Sequence, residues 1–200
     1  MLLVLFTGTL AAGNLDPTSA PASTMKTLTE VEPRIAINEV NTPGDSTALY
    51  IISQPGSYYL TQNISKSFQN AISIKSSDVT LDLMGYQIKS RWLVALPGEN
   101  TTFYGIYIEN NYSNIVICNG SIFSDYTGSY KGFYHGIYSP SNLPYASSVR
   151  INNVNVTGSR SWGILMYAIE TCIDSCNVKE NTAGGILTST NSIVRNCAVC

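Results

Sequence analysis

Two copies of one pattern lie between residues 163 and 199, which read GILMYAIETCIDSCNVKENTAGGILTSTNSIVRNCAV. Each copy starts with Gly-Ile and ends on an alternating segment, first at Val178 and then at Val199. The two ends are 21 residues apart, which is close to the length of a minimal solenoid coil. A repeat of this period predicts coils that stack on one another, because one coil alone cannot bury its apolar residues.

The same pattern extends upstream with longer spacing. Earlier copies start at Ala71-Ile72, Gly105-Ile106 and Gly136-Ile137, and the steps between the last apolar residues of successive coils are 34, 34, 22 and 21 residues. The long steps require insertions, which we expect where Pro, Gly and Asn cluster, at 96–100 and 139–144. Hairpin signals that would join the strands in antiparallel pairs are missing. The pattern therefore predicts a parallel β-helix. Its central prediction is one apolar column, formed by Ile72, Ile106, Ile137, Ile164 and Ile186.

Three segments carry a resemblance to a known family. They are Gln54–Leu60 (QPGSYYL), Asp78–Tyr86 (DVTLDLMGY) and the repeated motif G-I…N-x-x-I-x-N-G/C-x-I. From about Thr24 to Cys200, the chain resembles secreted bacterial proteins with parallel β-helix repeats of the pectin-lyase-like superfamily. The resemblance, together with the usual hand of parallel crossovers, implies an all-β, single-stranded right-handed parallel β-helix. We expect about five to six coils and a short N-terminal capping helix.

Composition shifts divide the chain into four parts. Residues 1–13 read as a signal peptide, because an apolar run is followed by Ala11, Ala12 and Gly13. Residues 14–23 form a linker, 24–49 a cap segment with a helix over 25–32, and 50–200 the β-helix. This order predicts a secreted or cell-surface protein, or a periplasmic one. The last coil has no polar cap, so we expect further coils or a capping partner at that end.

The composition argues against two classes of partner. Charged residues make up 12% of the 200 residues, against roughly 25% in an ordinary soluble protein, and the formal net charge is −2. The 11 Lys and Arg residues are scattered and cannot neutralise a row of phosphates, so nucleic acid is not an expected partner. No apolar run approaches the roughly 20 residues that cross a bilayer, so membrane insertion is not expected either.

The cysteines and charged residues follow the coil register. Cys176 and Cys197 share one slot, filled earlier by Gly120 and Val154, so stacked thiols are the simplest interpretation. Neighbouring coils lie roughly 4.8 Å apart, so a disulfide between these two is an alternative, and a metal site is the least favoured one. We predict no metal and no cofactor. The charged residues Arg150, Asp174 and Arg195 are expected to form a ladder on the surface, joined by salt bridges.

Aromatic residues give the strongest indication of a ligand. Many lie between 103 and 145, and Trp92 and Trp162 flank the region. Sugars stack their C–H faces on aromatic rings, and Tyr adds a hydrogen-bonding hydroxyl. Rings that only pack the insertions against the solenoid remain an alternative. The candidate ligand-binding residues are Trp92, Tyr107, Tyr112, Tyr126, Tyr130, Phe133, Tyr134, His135, Tyr138 and Trp162.

No set of residues forms a convincing catalytic site. His135 is the only histidine, and the acidic residues are scattered. The favoured hypothesis is an exported β-helix that binds a polysaccharide or a cell-surface glycan without cleaving it. The alternatives are a polysaccharide lyase or glycoside hydrolase of the pectin-lyase-like superfamily, and a structural module of an adhesin or tailspike. The catalytic residues of the second hypothesis are unknown.

Overall fold

A computed structural model describes residues 34–66, 69–90, 102–125 and 132–200. These residues form one compact unit, Arg34–Cys200. The predicted signal peptide, linker and capping helix lie outside the described residues, as does the predicted insertion at 96–100. Within the described part of the chain the regular structure is all β, and no helix is present.

The strands are short and follow one another closely, in this order: β1 (Ile35–Ala36), β2 (Ala48–Ile52), β3 (Gly56–Tyr59), β4 (Ile64–Lys66), β5 (Asn70–Ile74), β6 (Val79–Asp82), β7 (Gln87–Ser90), β8 (Tyr104–Ile108), β9 (Ser113–Phe123), β10 (His135–Ser139), β11 (Ser147–Thr157), β12 (Trp162–Met166), β13 (Cys172–Asp174), β14 (Asn177–Lys179), β15 (Gly184–Thr188), β16 (Ile193–Arg195) and β17 (Ala198–Val199). Strand β1 and the first two residues of β2 lie before residue 50, within the segment assigned to the cap from sequence.

The chain alternates between two parallel sheets. We call the sheet with the order β15-β12-β10-β8-β5-β2 the first sheet, and the sheet that contains β3, β6, β9, β11, β13 and β16 the second sheet. In the first sheet, Ile72 pairs with Ile106, and the register continues without a shift to Ile137, Ile164 and Ile186. The predicted apolar column is therefore confirmed. This arrangement is compatible with a parallel β-helix.

The second sheet contains the strands that follow those of the first sheet along the chain. The long strands β9 and β11 pair along their whole length, from Ser113 with Ser147 to Phe123 with Thr157. Further along, the place of each long strand is taken by a pair of shorter ones, β13 with β14 and β16 with β17. The core lies between the two sheets, and its Ile, Leu and Val side chains are almost wholly buried. Burying these aliphatic side chains stabilises the fold by about 1.5–3 kcal/mol each.

The repeated Gly-Ile start has a steric cause. A Cβ on Gly136 would lie 2.3 Å from Val156 Cγ1 and 2.7 Å from the carbonyl oxygen of Gly163. The backbone of the next coil and an inward apolar side chain therefore leave no room for a methyl group at this corner. The following residue, Ile137, points into the core.

Asparagine recurs at the corners of the second sheet for a different reason. Asn119 and Asn153 have φ angles of 58° and 53°, in the left-handed region that Asn tolerates better than most residues. Their side chains also link the coils: Asn153 Nδ2 donates to Asn119 Oδ1 at 3.2 Å, and Asn119 Nδ2 donates to Asp82 Oδ1 at 3.2 Å. This asparagine ladder explains why Asn recurs in the repeat.

Insertions interrupt the regular coils. The predicted insertion at 139–144 corresponds to the connection between β10 and β11, which contains a cis peptide bond at Leu143-Pro144. A second connection, between β9 and β10, was not predicted from the sequence and carries Phe133 and Tyr134. Among the described residues, no helix is long and apolar enough to cross a membrane.

Candidate functional site

Five ring-bearing residues lie side by side along the first sheet. They are Tyr104 and Tyr107 on β8, His135 and Tyr138 on β10, and Trp162 on β12, and we call them the aromatic strip. Tyr104 pairs in register with His135, and Tyr107 with Tyr138. Because the strands are parallel and in register, the strip crosses the strands instead of following one of them.

Four rings of the strip, those of Tyr104, Tyr107, His135 and Tyr138, pack on one another. The ring centroids of Tyr104 and Tyr107 are 5.4 Å apart with nearly parallel planes, and Tyr138 lies 4.5 Å from Tyr104 and 5.9 Å from Tyr107. Contacts of this kind between aromatic rings contribute about 0.5–1.5 kcal/mol beyond the burial of their area. Mutual packing therefore fixes the positions of the three tyrosines.

The hydroxyl groups of these tyrosines have no partner in the part of the chain that the structure describes. Burial raises the pKa values of Tyr104, Tyr107 and Tyr138, so all three phenols are protonated at neutral pH. Among the described residues, none forms a hydrogen bond with their hydroxyls. Each phenol can both donate and accept a hydrogen bond. The strip thus offers a cluster of three neutral hydroxyls to a polar ligand.

His135 is a packed residue of the strip. Its side chain is almost wholly buried, and burial lowers its pKa to about 4, so the imidazole is neutral at pH 7. The backbone N–H of Trp162 donates to His135 Nδ1 at 3.2 Å. Because this bond uses the lone pair of Nδ1, the proton of the neutral ring lies on Nε2. A base needs a free lone pair, and His135 has none to offer.

Trp162 covers a glycine of the neighbouring strand. Trp162 pairs in register with Gly184 on β15, and a Cβ on Gly184 would lie 2.4 Å from Cζ3 of the indole and 2.9 Å from Cε3. The ring therefore rests on the backbone of β15, and a glycine is needed beneath it. This contact supports one side of the indole and leaves the residue half-buried.

The other predicted ligand-binding residues are placed differently. Phe133 is 1% exposed and belongs to the core, and Tyr112 packs against the core just before β9, in the second sheet. Tyr134 contacts His135 edge to face, and the Arg160 guanidinium lies 5.5 Å from its ring. Trp92, Tyr126 and Tyr130 lie outside the described residues. The structure adds Tyr104, which the candidate set omitted although it shares the register of His135.

The charged residues lie on the second sheet. Asn152, Asp174 and Arg195 stack in register, and Arg195 Nη2 lies 2.8 Å from Asp174 Oδ2. The hydrogen bond from Asn196, followed by that from Arg195, lowers the pKa of Asp174. Arg150 is in register with Cys172, one column away, and forms no ion pair with the described residues. An ionised Asp174 held by Arg195 cannot donate a proton at neutral pH.

The cysteines are thiols in this structure. Cys176 and Cys197 occupy equivalent positions in successive coils. Each thiol has a carbonyl oxygen two residues before it within donating distance, at 3.3 Å for Cys176 and 3.1 Å for Cys197, and a carbonyl oxygen of the preceding coil at 3.7 Å. Burial raises the pKa of Cys176 to about 11, which keeps it protonated and unreactive. Among the described residues, no group of three or more His, Cys, Asp or Glu side chains could hold a metal ion.

No family model, curated protein or solved structure matches this chain. The resemblance to the pectin-lyase-like superfamily therefore stays a prediction from sequence.

Proposed function

We propose that this chain is an exported right-handed parallel β-helix of the pectin-lyase-like kind that binds carbohydrate without cleaving it. Parallel strands that alternate between two sheets support the β-helix. The right hand is the one that nearly all parallel crossovers adopt. The apolar leader in residues 1–13 supports export.

One observation carries the binding function: the aromatic strip combines a supported indole with three phenols that have no hydrogen-bond partner among the described residues. A sugar ring offers an apolar C–H face and a rim of hydroxyls, and it needs both kinds of partner at once. Trp162 supplies an indole ring that rests on the backbone of β15 and therefore stays on the surface of the first sheet. Tyr104, Tyr107 and Tyr138 supply hydrogen bonds at fixed positions.

Two features support binding in preference to cleavage. The Nδ1 lone pair of His135 accepts the Trp162 N–H, and Asp174 is held ionised by Asn196 and Arg195 on the other sheet. Cleavage of a glycosidic bond needs an acid and a base or nucleophile placed on the same sugar. Neither residue fits that role.

Binding is tested on a glycan array with the purified chain and three variants. Gly184→Ala forces the Trp162 ring off β15 without removing a ring atom, and Trp162→Ala removes the ring. Both should lower retention on the glycans that the unmodified chain binds, by about fivefold to tenfold. Arg150→Ala, on the second sheet, serves as the matched control and should bind normally.

The same glycans are then assayed for products. Binding with no release of reducing or unsaturated sugar ends supports the proposal. Release of such ends from a panel of uronates would replace it with a lyase or hydrolase. A trimer that binds no glycan would instead indicate a structural module of an adhesin or tailspike.

A further inference from the structure

We propose that the ligand is a neutral, extended polysaccharide that lies along the stacking direction, across β8, β10, β12 and β15. The inference rests on the carbohydrate binding proposed above and adds the direction, length and charge of the bound chain.

The direction follows from the register of the strip. Tyr104 pairs with His135, Trp162 follows at the next strand, and Trp162 pairs with Gly184. A second column, three residues further along the strands, contains Tyr107, Tyr138 and Leu165. Both columns run from strand to strand. A linear ligand that contacts Tyr104, Tyr138 and Trp162 together must therefore cross the strands.

The length follows from the spacing of the strands. Neighbouring strands lie about 4.8 Å apart, so the three steps from β8 to β15 cover about 14 Å. The sugar repeat of an extended β-1,4-linked chain is close to the spacing between strands. One sugar per coil therefore keeps successive rings in similar positions on the strip, and three to four sugars span it.

The charge follows from the residues on and around the strip. The three phenols and the His135 imidazole are neutral at pH 7. Nearby, Lys75 is paired with Glu109 at 3.3 Å, and Arg160 lies against the Tyr134 ring. A polyuronate would place one carboxylate per sugar along the aromatic strip, and none of the five residues of the strip carries a positive charge at pH 7. A neutral chain avoids this desolvation cost.

The test is calorimetric titration of the whole chain with cello-oligosaccharides from glucose to hexaose. Xylo- and manno-oligosaccharides form the second arm and distinguish among neutral β-1,4 chains. We expect affinity to rise with each sugar up to about the tetraose and then to stay constant. Affinity should be the same in low and high salt, because screening does not act on a neutral ligand.

Variants locate the two ends of the bound chain. Trp162→Ala and Gly184→Ala should stop the rise in affinity one or two sugars earlier, with a loss of about fivefold to tenfold for the tetraose. Tyr104→Phe keeps the ring and removes one hydroxyl, so it should cost less. Thermal unfolding of each variant shows that the fold is retained, and Arg150→Ala should titrate like the unmodified chain.

Three results would overturn the inference while leaving carbohydrate binding in place. They are full affinity for a monosaccharide, tighter binding of oligouronates than of neutral chains, and array ligands that are all branched or charged. Failure to bind any glycan would overturn both proposals.

Discussion

The corner residues with left-handed backbone angles have two roles: they tolerate a positive φ, and their side chains form hydrogen bonds between coils. Asn119 has a φ of 58° and forms side-chain hydrogen bonds with Asp82 and Asn153, one on each neighbouring coil. A substitution at such a site separates the two roles, because Gly accepts the backbone angle but cannot form the bonds.

We expect Asn119→Ala to lower the free energy of unfolding by about 1–3 kcal/mol, since it loses both the preferred backbone angle and the ladder. Asn119→Gly should cost less, because Gly adopts a positive φ without steric strain and loses only the side-chain hydrogen bonds. Urea unfolding curves of the two variants measure the difference. Equal losses would show that the backbone angle contributes nothing.

His135 predicts how stability depends on pH. The folded state holds its pKa at about 4, below the ordinary value near 6.5, so the unfolded chain binds the proton more tightly. The stability linked to this group is fully present above pH 6.5 and is lost as the pH falls from there towards 4.

This loss should amount to about 2 kcal/mol between pH 7 and pH 4.5. In His135→Asn, which keeps an acceptor for the Trp162 N–H, the unfolding midpoint should change less over the same range. Urea unfolding of both proteins at the two pH values measures the effect. The same slope in both would assign the pH dependence to other groups.

At the scale of the strand, the glycine of each Gly-Ile start is the position with the least room for a side chain. We expect Gly136→Ala to lower the free energy of unfolding by about 2–4 kcal/mol, because its methyl group would meet Val156 and the backbone of β12. Ala71 fills the same slot in an earlier coil and provides the control. Ala71→Gly should cost only about 1 kcal/mol. Urea unfolding midpoints of the two variants give the comparison. A Gly136→Ala variant that loses no more stability than Ala71→Gly would show that the corner at Gly136 has room for a methyl group.

The elements that could be predicted from sequence are those set by side-chain periodicity. The column from Ile72 to Ile186 was readable because apolar residues must return to the same place in every coil. Strand β1 and the first two residues of β2 were missed, because the segment before residue 50 has no Gly-Ile start and its pairing depends on contacts with later coils. The connection between β9 and β10 was missed although its sequence, SDYTGSYKGFY, is rich in Ser, Thr, Asp and Gly, which favour turns.

The site was only partly predictable, for a related reason. The sequence drew attention to aromatic residues, but it could not tell that Phe133 enters the core while Tyr107 stays on the outer face. The position of Tyr104 was available from the repeat, since it lies two residues before Ile106 just as His135 lies two before Ile137. The need for Gly184 beneath Trp162 depends on side-chain direction, which the repeat does not encode.

For the whole molecule, stability should vary along the stack. Ile137 lies on a strand flanked on both sides and is fully buried, whereas Ile186 is only partly buried. We expect Ile137→Ala to cost about 2–5 kcal/mol and Ile186→Ala distinctly less. Urea unfolding of the two variants gives the comparison. Equal costs would contradict this expectation, because they would mean that Ile186 is packed as tightly as Ile137.

Because the strands pair in register, one turn of the repeat can be removed without shifting the register of the others. Val156 pairs with Val178 and Thr157 with Lys179, so excising residues 157–178 would bring Lys179 to the place that Thr157 occupied. The shortened chain would keep every remaining inward residue facing inward, because the deletion equals one whole turn of the repeat. Natural gain or loss of turns could alter the reach of such a protein without redesigning its interior.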